Sequence, residues 1–179
     1  MFAPTFFGWP FLRGAGAARG MLGPMRASSL SPGRQALRRG RFSQEGGAYL
    51  LTTVTHQRIP WFQVFSFAQI MCQTLSRPDC LRDARNLCWV VMPDHIHLLL
   101  QLGQFELGTV MKRLKARSAV VLNREIGRRG RFWEPGFHDH ALREDEELIS
   151  VARYIVANPL RAGLVKHVAD YPYWNAQWL

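Results

Sequence analysis

The sequence predicts an α+β fold of the ferredoxin-like kind, ordered β-α-β-β-α-β and followed by one more helix. Three observations predict it. Two short apolar runs, residues 87–92 and 95–102, flank Pro93-Asp94, and that turn chemistry makes them a β-hairpin. A stretch near helical spacing stands on either side of the hairpin. A β-branched run precedes the first helix, and a further strand candidate follows the second. In this order the helices cover one face of an antiparallel sheet and leave the other face for a ligand.

Each element has its own grounds. Residues 48–56 (AYLLTTVTH) are β-branched and apolar and read as a strand. Pro60 breaks the chain. Residues 62–76 place Phe62, Phe65, Ala68, Gln69 and Cys72 near a helical period, and Arg77-Pro78-Asp79 stops that helix. Residues 105–126 form a long helix that Gly127 can end. Residues 132–142 are the weakest strand, interrupted at Pro135-Gly136. Residues 146–157 are a helix with acidic residues in its first turn, where the helix dipole favours them. Asn158-Pro159 ends it. Gly163 and Pro172 punctuate an aromatic stretch with no assigned element.

Composition narrows the function classes. The chain has 179 residues, 47% of them hydrophobic, enough for one domain with a sizeable core. The absence of an apolar run of ~18 residues argues against a transmembrane helix and a membrane role. Cys72, Cys80 and Cys88 form no C-x-x-C pair and are odd in number. That argues against a disulfide scaffold or structural zinc and fits a reducing cytoplasm. Pro4 and Pro10 interrupt the aromatic N-terminal residues, and no basic residue precedes them, which argues against a secretory signal. Met21 and Met25 are alternative starts.

The net charge is +10, from 23 Lys+Arg against 13 Asp+Glu. It is unevenly placed. Residues 1–48 carry seven Arg and one Glu, and residues 103–131 carry eight basic residues and two Glu. Residues 132–179 are net −3. Clustered positive charge attracts a polyanion. The first 47 residues also hold nine of the 15 glycines and no amphipathic period, the composition of a flexible arm.

Four constellations can carry chemistry. In His95-Ile96-His97, strand alternation sends both imidazoles to one face, roughly 6.5–7 Å apart at Cα, close enough to converge on one metal ion. Taken alone, such a pair is more often two exposed histidines. Tyr154 and Asn158 are four apart on the last helix, at the edge of the stripe formed by Leu148, Val151, Ala152 and Ile155. Lys112, Arg113, Lys115 and Arg117, then Arg128, Arg129 and Arg131, lead to Trp133. Cations neutralise phosphates, and an aromatic ring offers a stacking surface to unpaired bases. His138-Asp139-His140 repeats the same-face spacing on the next strand, with ligand, proton-transfer and phosphate roles all open.

Together these residues resemble the REP-associated tyrosine transposases, which belong to the single-tyrosine HUH endonucleases among the transposases of single-stranded insertion sequences. WVVMPDHIHLLLQL (89–102), LKARSAVVLNREIGRRGRFWEPGFHDHAL (114–142) and ARYIVANPLRAGLV (152–165) carry the resemblance, and GRFSQEGGAYLLTTVTHQR (40–58) adds to it. It covers about residues 38–179 and leaves residues 1–37 as a Gly/Arg-rich extension. The joint occurrence of MPDHIH and YIVANPLRAGLV, in this order, is highly specific.

The resemblance implies a ferredoxin-like HUH fold whose final helix carries the nucleophile, Tyr154. It implies that His95 and His97 bind a divalent metal, Mg²⁺ or Mn²⁺, with Asn158 completing the shell. It implies sequence- and hairpin-directed cleavage and rejoining of single-stranded DNA through a 5′-phosphotyrosine, in transposition or in processing of REP-like palindromes. The DNA contacts would come from Arg38, Arg39, Arg41, Lys112, Arg113, Lys115, Arg117, Arg128, Arg129, Arg131, Trp133 and Arg161. His138 and His140 are candidates for proton transfer. A bacterial cytoplasmic, nucleoid-associated protein follows, as a monomer or a homodimer. The competing readings are a non-catalytic nucleic-acid-binding module on the same sheet and a small-molecule metal hydrolase using both histidine pairs. The second lacks an H-E-x-x-H helix.

Overall fold

The computed structural model describes residues 43–143 and 147–178. The extension 1–37, its alternative starts, and Arg38, Arg39 and Arg41 lie outside the described residues.

Strand β1 (Ala48–Val54) is followed by two single 3-10 turns, His56–Arg58 and Trp61–Gln63, and then helix α1 (Phe65–Ser76). Next come β2 (Arg85–Met92), β3 (His95–Gln101), α2 (Leu107–Ile126), β4 (His138–Ala141), α3 (Leu148–Val156), α4 (Asn158–Arg161) and β5 (Trp174–Ala176). The sheet order is β4-β1-β3-β2-β5, with every neighbouring pair antiparallel. The first four strands are the βαββαβ sheet expected from the sequence. β5 is an addition along the outer edge of β2, pairing Cys88 with Ala176 and Val90 with Trp174. Three residues are too few to carry a strand period, so β5 is defined by its partner and not by its own pattern.

Alternation along β3 divides the core in two. Ile96, Leu98 and Leu100 are buried with Leu51, Met71 and Leu114, beneath α1 and α2. Leu99 points the other way and is buried with Val90, Met92, Ala152, Ile155 and Val156. The second face is therefore not left free as expected, because α3 and the segment leading to β5 cover it over β2 and β3. The reason lies in β2, which is buried without alternation from Leu87 to Met92. A strand apolar on both sides needs cover on both sides. Toward β4, exposed at all four residues, this face opens to solvent.

The remaining differences are at element ends. The 62–76 helix starts at Phe65, since Trp61–Gln63 forms its own tight turn. α2 starts at Leu107 and ends as expected at Gly127, whose φ of 71° is left-handed. The Arg128 N–H then bonds the Asn123 carbonyl at 2.9 Å. The strand expected over 132–142 shrinks to β4. Upstream of the Pro135-Gly136 break only an isolated bridge, Thr55 to Trp133, remains. Asn158-Pro159 ends α3 and opens α4, Pro159 occupying the first turn, where its missing N–H costs nothing.

Candidate active site

The β2–β3 turn sets the first half of the site. His95 and His97 project from β3 toward the α3 side and are half-buried. Their Nε2 atoms stand 3.2 Å apart, with the rings edge to face. Each Nδ1 has its own partner. Asp94 Oδ1 lies 2.5 Å from His95 Nδ1, and Arg58 Nη1 donates to Asp94 Oδ2 at 3.0 Å. Burial pushes the Asp94 carboxyl up, but the His95 and Arg58 hydrogen bonds outweigh it and hold the group below its ordinary value. An ionised Asp94 only accepts, so His95 Nδ1 is the donor in that contact. Thr52 Oγ1 lies 2.8 Å from His97 Nδ1 and can fix the orientation of that ring. Burial, the neighbouring His95 and the charge of Arg161 push His97 down to about 4, so it is neutral at neutral pH.

This arrangement fits a metal ion. Adjacent ligands on one ion, each ~2.1 Å from it, are separated by about the distance seen between the two Nε2 atoms. Carboxylate and hydroxyl partners behind ligating imidazoles are the usual means of aiming them. Among the described residues no group of three or more His, Cys, Asp or Glu is arranged to hold an ion, so the imidazole pair would need an amide, water or phosphate oxygen to complete a shell. The cysteines offer no thiolate, because burial raises all three: Cys72 and Cys88 to about 12, Cys80 to about 11.

Asp94, Thr52 and Arg58 were missed by sequence reasoning. Asp94 had a signal, since it adjoins His95 in the quoted motif. Thr52 had none, because only the β1–β3 register sets it opposite His97. Arg58 is aimed by an unusual backbone. Gln57 and Arg58 both adopt left-handed φ, 56° and 51°, which costs energy in non-glycine residues. Glu134 holds that turn by accepting from the Gln57 N–H at 2.7 Å, and its Oε1 lies 2.9 Å from His56 Nδ1.

The second half of the site is the α3–α4 corner. α3 lays Ala152, Ile155 and Val156 on the sheet, which leaves Tyr154 to one side, 55% exposed. Asn158, one turn on, donates from Nδ2 to the Ile155 carbonyl at 2.9 Å and the Tyr154 carbonyl at 3.3 Å. Its Oδ1 accepts from Arg161 Nη2 at 2.8 Å. The Arg161 guanidinium lies 3.7 Å from the centre of the Tyr154 ring. Its positive charge is also one of the influences that lower His97.

The other site candidates divide. Lys112, Arg129 and Arg131 are exposed. Arg117 instead clasps the α1–β2 loop through Asp79 Oδ2 at 2.7 Å and the Asp79 carbonyl at 3.0 Å, and Arg113 Nη2 meets the same carbonyl at 3.4 Å. Lys115 Nζ donates to the Glu134 carbonyl at 2.5 Å and to the Gly136 carbonyl. Arg128 lies over the Trp61 ring, 5.3 Å from its centre. Trp133 must be corrected. It is 5% exposed, packs on Phe62 and Phe132, and donates from its indole N–H to Ser118 at 2.9 Å, so no base can stack on it. The basic residues around it suggested a surface, but its immediate neighbour in the packing is the apolar core. His138 and His140 share the face of His97, with His138 and His97 flanking Thr52 in register. Two strand spacings put His138 roughly 10 Å from His97.

The chain is similar to several known proteins. Residues 48–158 match the family described as "Transposase IS200 like", and the chain belongs to that family of transposases. Within it, the chain is 33% identical over 143 residues to a Haemophilus influenzae protein described as a REP-associated tyrosine transposase, covering 72% of this chain and 79% of the relative. It is 30% identical over 87 residues to the REP-associated tyrosine transposase of Escherichia coli, covering 48% of this chain and 50% of the relative. Its fold is similar to that of a REP-associated tyrosine transposase solved bound to a REP hairpin, with a TM-score of 0.62 at 24% identity over 75% of this chain and 79% of the other. The family resemblance carried by MPDHIH and YIVANPLRAGLV is thus borne out. Among the described residues no helix is long and apolar enough to cross a membrane.

Proposed function

We propose that this transposase cleaves and rejoins single-stranded DNA beside hairpin-forming palindromes, with Tyr154 as nucleophile and His95 and His97 as ligands of a divalent metal. The observation that carries the reading is the convergence of the two Nε2 atoms, 3.2 Å apart, on the face covered by the helix that bears Tyr154. The relatives act as context: two are REP-associated tyrosine transposases by description, and one solved relative holds a REP hairpin.

The chemistry follows from the residues. A phosphodiester is anionic and repels a nucleophile, and a bound Mg²⁺ or Mn²⁺ would draw charge from it. The half-exposed Tyr154 oxygen attacks phosphorus in line, the P–O3′ bond breaks, and the 3′ oxygen leaves as a hydroxyl with a proton. The 5′ phosphate remains on Tyr154, conserving the bond energy for rejoining. Asn158 offers an amide oxygen one turn away for the metal shell. His138 and His140, on the same sheet face, are candidate carriers of the phenol proton. Lys112, Arg129 and Arg131 are exposed cations suited to phosphate.

The test is a covalent adduct assay with an oligonucleotide carrying the palindrome that flanks the gene, in Mn²⁺. A protein–DNA adduct is expected from the wild-type chain and none from Tyr154→Phe. An adduct at full yield from Tyr154→Phe removes Tyr154 from this role. Hairpin binding indifferent to EDTA, with no cleavage in any metal, supports the non-catalytic reading instead.

A further inference from the structure

Arg161 does more at the α3–α4 corner than supply charge. Pro159 has no N–H, so the Ile155 carbonyl cannot receive the bond that a continuing helix would give it. Asn158 Nδ2 takes over that carbonyl, and Arg161 Nη1 donates to the Tyr154 carbonyl at 2.9 Å. So far this is helix capping by side chains. Capping alone does not require the guanidinium to lie against the Tyr154 ring, 3.7 Å from its centre, nor to hold Asn158 Oδ1 at 2.8 Å. Tyr154 is 55% exposed, and no other ring or cation is stacked on it among the described residues. An exposed ring on a helix samples several rotamers, whereas in-line attack needs one.

We propose that Arg161 is a positioning residue: its guanidinium, stacked on the Tyr154 ring and forked between the Tyr154 carbonyl and Asn158 Oδ1, holds the phenol in the orientation for attack and ties it to the Asn158 amide. The inference rests on the reading of Tyr154 as nucleophile. A planar fork that stacks and donates twice at fixed angles is within reach of arginine and not of lysine. The interaction is of the cation–π kind.

The experiment compares wild-type, Arg161→Ala and Arg161→Lys in the full chain, with the same palindrome oligonucleotide and Mn²⁺. It reads thermal melting, hairpin Kd, the single-turnover adduct rate at saturating DNA, and the NMR ring signals of labelled Tyr154 without DNA or metal. Misplacing a reacting group by ~1 Å costs on the order of 100-fold in rate. Arg161→Ala is therefore expected to lose about that much in the saturated rate, with Kd changed less than about threefold and with a broadened or shifted Tyr154 ring signal. Arg161→Lys should restore melting but not the rate, and free guanidinium should return part of the Arg161→Ala rate.

Three results overturn the proposal. One is a saturated rate unchanged in Arg161→Ala while Kd weakens, which makes Arg161 a DNA contact only. Another is loss of rate together with melting, both recovered by Arg161→Lys, which makes it a cap only. The third is a Tyr154 ring signal indifferent to Arg161→Ala. If the wild-type chain itself forms no adduct, the nucleophile reading fails and the rate role fails with it, while the ring signal still decides whether Arg161 orders the tyrosine.

Discussion

His95 and His97 on β3 and His138 and His140 on β4 have the same spacing and share a face of one sheet, yet they are built differently. The β3 pair sits on a central strand, half-buried, with Nε2 atoms 3.2 Å apart and with Asp94 and Thr52 behind the Nδ1 atoms. The β4 pair sits on an edge strand whose four residues are all exposed. The two copies of one motif teach that spacing supplies candidates, while the position of the strand in the sheet decides which pair is half-buried and held from behind.

That contrast can be broken by experiment. The largest effect is expected from His97→Ala, or equally His95→Ala. Cleavage of the palindrome oligonucleotide should fall about 10²–10³-fold, read on a denaturing gel, since the charge opposite the phosphate is lost. Next is Asp94→Asn, which keeps the shape but not the charge behind His95. Mn²⁺ affinity measured by calorimetry should weaken about 10–100-fold. Thr52→Val removes one neutral hydrogen bond from His97 and should cost about fivefold in the same titration. The double substitution of His138 and His140 to Ala should leave Mn²⁺ affinity within about twofold, as for other exposed sites. A loss there as large as that of Asp94→Asn would make the two pairs equivalent and undo the comparison.

The same contrast marks what the sequence could carry. His95-Ile96-His97 was legible because strand alternation is local, and α2 because Gly127 ends it in a left-handed turn. Tyr154 was legible as lying beside the apolar stripe of α3. What decides between the histidine pairs was not local. Thr52 meets His97 only through the β1–β3 register, and Arg58 reaches Asp94 only through a left-handed turn held by Glu134, far along the chain. Trp133 misled for a related reason: Arg129 and Arg131 just before it are exposed, whereas its own ring reaches Ser118 across to α2. The covered second face was foreshadowed by β2, apolar without alternation, but the helix that would cover it could not be chosen from that run. The basic helix was legible as charge. Its division into exposed Lys112 and the internally bonded Arg113, Lys115 and Arg117 depends on loops that fold against it.

The position of β1 in the sheet has a consequence for synthesis. Its hydrogen-bonding partners are β3 and β4, made about 40 and 80 residues later, so at ~5–20 residues per second the strand waits several seconds on the ribosome for both neighbours. Meanwhile its apolar residues Tyr49 and Leu51 have no sheet to enter, a period in which chaperone engagement is favoured. The Tyr154–Arg161 corner is translated later still, after the strand that carries His95 and His97. A nascent chain thus presents the His95 and His97 pair first and the Tyr154 corner last.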